Sequence, residues 1–139
     1  MTMFIYSLLV LLLLSVCYTD ISSRKIKNNT VMLVALLSLI IAVTINGNVN
    51  ILWPLMTLIV GMLLVIANVI GAGDIKLIAA LSLSIPADQM VNFLFLVTLS
   101  GIPLILIVIF LRLLHKGSRK MTLPYGVAIS CGYLLLHLG

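Results

Sequence analysis

The chain has 139 residues, of which 63% are hydrophobic and only 8% charged, and its mean hydropathy is +1.37. A water-soluble domain is typically about half apolar and about a quarter charged, so composition excludes a soluble globular fold, and the excess of apolar surface excludes disorder. The net charge of +5, from eight Lys/Arg against three Asp/Glu, sits in short stretches between apolar runs and forms no continuous basic face of the kind nucleic acid requires.

The first apolar run, Met3–Tyr18, has no basic residue before it. It also lacks the small-residue cleavage pattern of a secretory signal, so it reads as a mature helix. The runs Thr30–Ile45, Ile51–Ile70, Ile75–Ile85, Met90–Leu114 and Leu123–Leu138 follow. They are separated by Asp20–Asn29, Asn46–Asn50, Gly71–Asp74, Pro86–Gln89 and His115–Thr122. Each run is continuous, whereas the strands of a membrane barrel would alternate. The fold class expected is therefore all-α: a polytopic membrane protein with a six-transmembrane-helix bundle, residues 1–139 forming a single transmembrane domain with no room for a soluble one. The fourth run is short. At 1.5 Å per residue it reaches only ~17 Å of a hydrocarbon core of ~30 Å.

Charge placement argues that it nevertheless crosses. Arg24, Lys25 and Lys27 lie in the first loop, Lys76 after the third run, and Arg112, Lys116, Arg119 and Lys120 around the fifth loop. The second and fourth loops hold no Lys or Arg. Six crossings place all of these on one side, which the positive-inside rule makes cytoplasmic. Both termini are then expected outside the cytoplasm, and the protein in the cytoplasmic (inner) membrane.

The acidic residues are Asp20, Asp74 and Asp88. An ionisable group at a membrane boundary is costly and marks a functional site by default. Asp20 follows the first run, and Asp74 closes Gly71-Ala72-Gly73-Asp74. The topology brings both to the cytoplasmic face and leaves Asp88 on the other. Two neighbouring carboxylates share a proton. The ionised one can take a proton from water that attacks a peptide carbonyl, while the protonated one donates to the carbonyl oxygen or leaving amine. Neither metal nor cofactor is needed. Gly71 and Gly73 are expected to let the backbone leave helical geometry beside the carboxylate and to allow close approach of another chain. The alternative is a tight interhelical turn with a capping Asp, and Gly-x-Gly-Asp alone does not decide between them.

Three stretches together do carry a resemblance. Asp20-Ile21-Ser22-Ser23-Arg24-Lys25-Ile26-Lys27-Asn28, Gly71-Ala72-Gly73-Asp74-Ile75-Lys76 and Leu123-Pro124-Tyr125-Gly126-Val127-Ala128 resemble the type IV prepilin peptidases, aspartic peptidases of the membrane. The short members that process Flp-type, tight-adherence pilins look most similar. The resemblance implies that Asp20 and Asp74 are the catalytic pair. It implies that the substrate is a pilin-like precursor whose short basic leader is cut on the N-terminal side of its apolar helix, at the cytoplasmic membrane surface. Gly71, Gly73, Lys76, Pro124, Tyr125 and Gly126 are expected as substrate-binding or structural support. Two departures matter. Lys27 stands where the family usually has proline. The first loop is short and has no cysteine, unlike the Cys-x-x-Cys domain of longer members that also N-methylate the product, so peptidase without methyltransferase activity is expected.

The remaining residues read more plainly. Lys76 could bias the carboxylates, bind substrate or snorkel to lipid phosphate. Asn68 is expected inside the third helix, making an interhelical hydrogen bond. Pro124 suits a first helical turn, and Gly101 with Pro103 suggests a kink in the fifth helix. Asp88 is expected to cap the fifth helix, Cys17 and Cys131 to be small core residues, Trp53 and Tyr6 to be interfacial anchors, and His115 and His137 to be solitary. Presenilin-like peptidases are the runner-up enzyme class. They carry Tyr-Asp and Pro-Ala-Leu, where this chain has Tyr18-Thr19-Asp20 and Pro124-Tyr125-Gly126. The non-enzymatic alternative is a small proton- or solute-conducting bundle using the same aspartates, with transport but no cleavage. Small-residue spacings such as Gly126/Ser130 and Ala128/Gly132 allow close helix contacts but do not specify an oligomeric state.

Overall fold

The computed structural model describes residues 2–23, 26–114 and 124–138. Arg24, Lys25, Lys116, Arg119 and Lys120, on which part of the charge argument rests, lie outside the described residues, as does His115. The described chain is all-helical. α1 spans Thr2–Ser23, α2 Asn28–Ile41, α3 Leu52–Ile66, α4 Ala72–Ser82, α5 Met90–Leu114 and α6 Tyr125–Leu138. In lipid every backbone group must find its partner inside the segment, so uninterrupted apolar runs become helices.

Three helical stretches are long and apolar enough to cross a membrane, Met3–Ser23, Asn28–Asn46 and Ala87–Leu111, while Leu52–Ile66 and Tyr125–Leu138 are shorter apolar helices. α4, at 11 residues, is shorter still, as its sequence anticipates.

The helix ends differ from the hydropathy boundaries. α1 runs on to Ser23, so Asp20 belongs to the helix instead of following it. α2 continues through one wide turn, Ala42–Asn46, and stops at Gly47, whose φ of 67° is left-handed. That turn swings the Asn46 amide across to donate to the Ser84 carbonyl at 2.9 Å, tying the far end of α2 to the chain leaving α4. α3 ends at Ile66, and Asn68, at φ 57°, is a left-handed residue beyond it. The expected intrahelical Asn68 is thus corrected: its short polar side chain tolerates the left-handed region that closes a helix, and it is exposed.

The core is built from one face each of α1, α2, α4 and α6. Leu9, Leu13 and Val16, spaced four and three apart, meet Val34 and Ile41, Leu77 and Leu81, and Ile129 and Tyr133. The Tyr133 hydroxyl shares a 2.8 Å hydrogen bond with the Ser84 hydroxyl, which meets the need of a buried polar group for a partner. α3 packs chiefly on α4 and α5 on α6. α5 approaches α6 closely, because a Cβ at Gly132 would stand 2.8 Å from the backbone of Val97. The Ser100 hydroxyl donates to the Ala128 carbonyl at 2.7 Å across the same seam. Outward-facing Leu, Ile, Val, Met and Phe side chains cover much of the bundle, a surface suited to acyl chains and not to water.

Candidate active site

Antiparallel passage brings the last turn of α1 and the first turns of α2, α4 and α6 to one end of the bundle. Asp20 points inward there and is only 6% exposed. One of its carboxylate oxygens accepts a hydrogen bond from the Gly126 backbone N–H at 2.7 Å, although the two residues are 106 positions apart. That N–H is one of the orphan donors every helix start carries, so Asp20 caps α6 from another helix, and its charge suits the positive end of the α6 dipole. Pro124 precedes α6, and its carbonyl accepts the Val127 N–H, which forms the turn that aims Gly126 at Asp20. Only glycine fits: a Cβ at residue 126 would lie 2.8 Å from the bonded carboxylate oxygen.

Asp74 occupies the first turn of α4. Gly71 before it has φ −72° and ψ 142°, an extended conformation open to any residue. The backbone does leave helical geometry at Gly71, as expected, while Gly73 lies within α4. Both glycines also leave space for close neighbours. A Cβ on Gly71 would stand 2.8 Å from an Asp74 carboxylate oxygen, and one on Gly73 would press at 3.2 Å on the Ile26 side chain from the α1–α2 connection. Each carboxylate thus has its own glycine, Gly126 for Asp20 and Gly71 for Asp74.

Asp74 lies outside the three membrane-length stretches, at the break between α3 and α4. Burial, and secondarily the negative charge of Asp20, push its pKa up from 3.8 to about 6, while the Gly71 backbone works the other way. The sign of the linkage is set by the raised value: ionising Asp74 opposes folding, so its contribution is fully present below pH 3.8 and is lost as pH rises through about 6. Asp74→Asn is accordingly expected to unfold at a higher temperature than the wild type near pH ~7.5, with the difference shrinking towards pH ~4. Thermal unfolding in detergent at the two pH values checks this; a variant less stable than wild type at neutral pH would show that the carboxylate is there to hold the turn.

Lys76 does not stand alone. Its amine donates to the Asn28 side-chain oxygen at 3.2 Å, pinning the start of α4 to the start of α2. Two residues along a helix turn a side chain by ~200°, so Lys76 faces a different side of α4 from Asp74. Asn28 and Ile26 are the residues sequence reasoning passed over. Both lie inside the first resembling stretch, and only their tertiary partners reveal their use. Lys27, where the family usually has proline, has φ −69°, close to the angle that proline fixes, so the departure leaves the start of α2 in the same geometry. Tyr125 opens α6 and is half-buried.

Asp88 is exposed in the short 3₁₀ turn Ala87–Gln89 that leads into α5, at the opposite end of α4 from Asp74. Asp88→Asn is expected to leave activity within ~2-fold, as surface changes away from special features usually do. A loss comparable to that of Asp74→Asn in the same assay would contradict this separation.

Several minor expectations change. Cys131 is exposed, and Cys17 is half-buried. His137 is not solitary: its ring packs against Tyr6 and Tyr133 at centroid distances of 5.3 and 4.4 Å. Trp53 and Tyr6 are partly buried and pack against the core. Among the described residues no group of three or more His, Cys, Asp or Glu is placed to hold a metal ion.

These features define a class: a helical membrane protein with two carboxylates, each beside a glycine, at one end of the bundle. The chain belongs to the type IV leader peptidase family, whose model matches residues 7–106. It is thus a membrane peptidase of a family that works by aspartic chemistry. The matched region includes Asp20 and the Gly71–Lys76 stretch, and stops before Pro124–Gly126. No curated protein and no solved structure matches the chain.

Proposed function

We propose that this peptidase is a prepilin peptidase of the short, Flp-type kind. It removes the basic leader from a pilin-like precursor at the cytoplasmic face of the inner membrane, with Asp20 and Asp74 as the catalytic pair. The observation that supports the reading is the placement of both carboxylates at one end of the bundle, Asp20 at the end of α1 bonded to the Gly126 N–H and Asp74 in the first turn of α4. A pair of this kind holds one proton between its members and titrates as a unit. The ionised carboxylate removes a proton from water as the oxygen attacks the scissile carbonyl. The protonated carboxylate donates to the carbonyl oxygen, and the collapse of the tetrahedral species passes a proton to the leaving amine. Gly126 fixes one oxygen of Asp20, which leaves the carboxylate oriented and not merely nearby.

The charge pattern supports six crossings with both termini outside the cytoplasm. All eight Lys/Arg then fall at the carboxylate end or in loops that adjoin it. The short first connection between α1 and α2 has no cysteine-bearing domain, which supports cleavage without methyl transfer. The test is incubation of the purified protein in detergent with a pilin-like precursor and intact-mass measurement of the product. Loss of the leader mass, with the mature helix otherwise unmodified, is the expected result. An unchanged precursor alongside solute flux through reconstituted vesicles would favour a conducting bundle instead.

A further inference from the structure

α3 and α5 flank the bundle as two arms that lean on different neighbours, α4 and α6. Between them lies an open cleft of about 370 Å³. Trp53, Val60 and Leu64 of α3 form one wall, Ile75 and Ile78 of α4 the floor, and Leu94 of α5 the other side. The α3 residues follow helical spacing, so a single face of α3 lines the cleft over about three turns, ~16 Å. Val60 is half exposed among the described residues. The inner end of the cleft reaches Ile75, the residue immediately after Asp74.

The chemistry of the lining limits what can occupy it. No charged side chain lines the cleft. Its Thr57 hydroxyl is already committed to the Pro54 carbonyl at 2.9 Å. A phospholipid seated here would find no cation for its headgroup among these residues. The neighbouring groove over α4, between α2 and α3, offers the contrast, with Lys76 and Asn28 in its lining. An apolar peptide helix satisfies its own backbone and needs only the side-chain contact that the cleft provides. α4 starts at the carboxylates and runs away from them. A helix lying along its floor with its N-terminus at the cytoplasmic end therefore has its first turn level with Asp74.

We propose that the cleft between α3 and α5 is the docking site for the apolar helix of the precursor, which enters sideways from the bilayer and presents its N-terminal end to Asp20 and Asp74. This rests on the prepilin-peptidase reading above. It makes the membrane helix of the substrate, and not only the residues around the cut, a determinant of specificity.

The experiment compares two substrates: a complete precursor, and a short soluble peptide holding the leader and cut site but no apolar helix. Val60→Trp fills the cleft, and Met62→Trp changes the opposite face of α3, ~200° away. Val60→Trp is expected to raise the apparent KM for the precursor at least ~10-fold, with kcat kept and the short peptide cut as before, since the binding lost is remote from the reacting atoms. Met62→Trp is expected to change neither substrate. Equal effects on both substrates, or none from Val60→Trp, would overturn the proposal.

A second measurement does not depend on turnover. A benzophenone side chain at Val60 is expected to photo-crosslink the precursor, and one at Met62 is not. Adducts at Val60 with lipid alone, or with a second copy of this chain, would overturn the docking site. If the wild type cuts neither substrate, the peptidase assignment of this site fails, and the crosslink still decides the cleft.

Discussion

Replacing either Asp20 or Asp74 by Asn is expected to reduce leader cleavage by at least ~10³-fold while the protein still inserts and folds, and the double variant is expected to be no worse than either single one. Groups that act as a unit lose nearly the whole effect when one is removed, and here the unit is a shared proton. Asn keeps the size of the side chain and most of its hydrogen-bonding capacity, so the Gly126 N–H still finds an oxygen in Asp20→Asn. What disappears is the ability to take or give the proton. Rate constants for wild type, both single variants and the double variant check this. Multiplying losses would indicate two independent contributions, and robust turnover by either single variant would remove the pair from the mechanism.

The second large effect concerns a residue with no side chain. Gly126→Ala is expected to lower kcat by ~10²-fold with little change in KM, because misplacing a reacting group by about 1 Å costs on that order. The added Cβ would stand 2.8 Å from the Asp20 carboxylate oxygen, 3.1 Å from its Cγ and 3.3 Å from its Cβ, so either α6 withdraws or the carboxylate turns. The 2.7 Å bond to the amide is lost in both cases. Gly101→Ala is the control at a different contact of α6, the one with α5. Its Cβ would meet only the Ala128 methyl group at 3.9 Å, an ordinary contact, and activity is expected to stay near wild type. Steady-state kinetics of the two variants distinguish a positioning role for Gly126 from a general sensitivity of the contacts that α6 makes.

Much of this arrangement is legible before any coordinates. Continuous apolar runs specify helices because lipid leaves the backbone no other partners, and the scarcity of acidic residues singles out Asp20 and Asp74. The helix ends are less legible. α1 carries five residues more than its apolar run, because polar side chains at a membrane boundary do not interrupt backbone hydrogen bonding. α3 stops short of its run because Asn68 takes a left-handed conformation, which hydropathy does not register. The glycines are partly legible. Gly-x-Gly-Asp marks the break at Gly71, which is extended, but the space that Gly71 leaves beside Asp74 appears only in the fold. The pairing of Gly126 with Asp20, and of Lys76 with Asn28, joins residues 106 and 48 positions apart, and no local pattern encodes such a meeting. The cleft between α3 and α5 was equally hidden, since an apolar face turned to lipid and one turned to a partner have the same sequence.

The proposed chemistry requires that Asp20 and Asp74 face one another in the folded protein in its membrane. The most direct measurement starts from a chain with Cys17 and Cys131 replaced by serine and with the substitutions Asp20→Cys and Asp74→Cys. It is oxidised or bridged with a short bifunctional thiol reagent in native membranes, then digested and analysed by mass spectrometry. The structure predicts a covalent link joining the end of α1 to the start of α4. A folded protein that yields no such link, while a control pair across the Ser100–Ala128 seam is joined efficiently, would contradict the account.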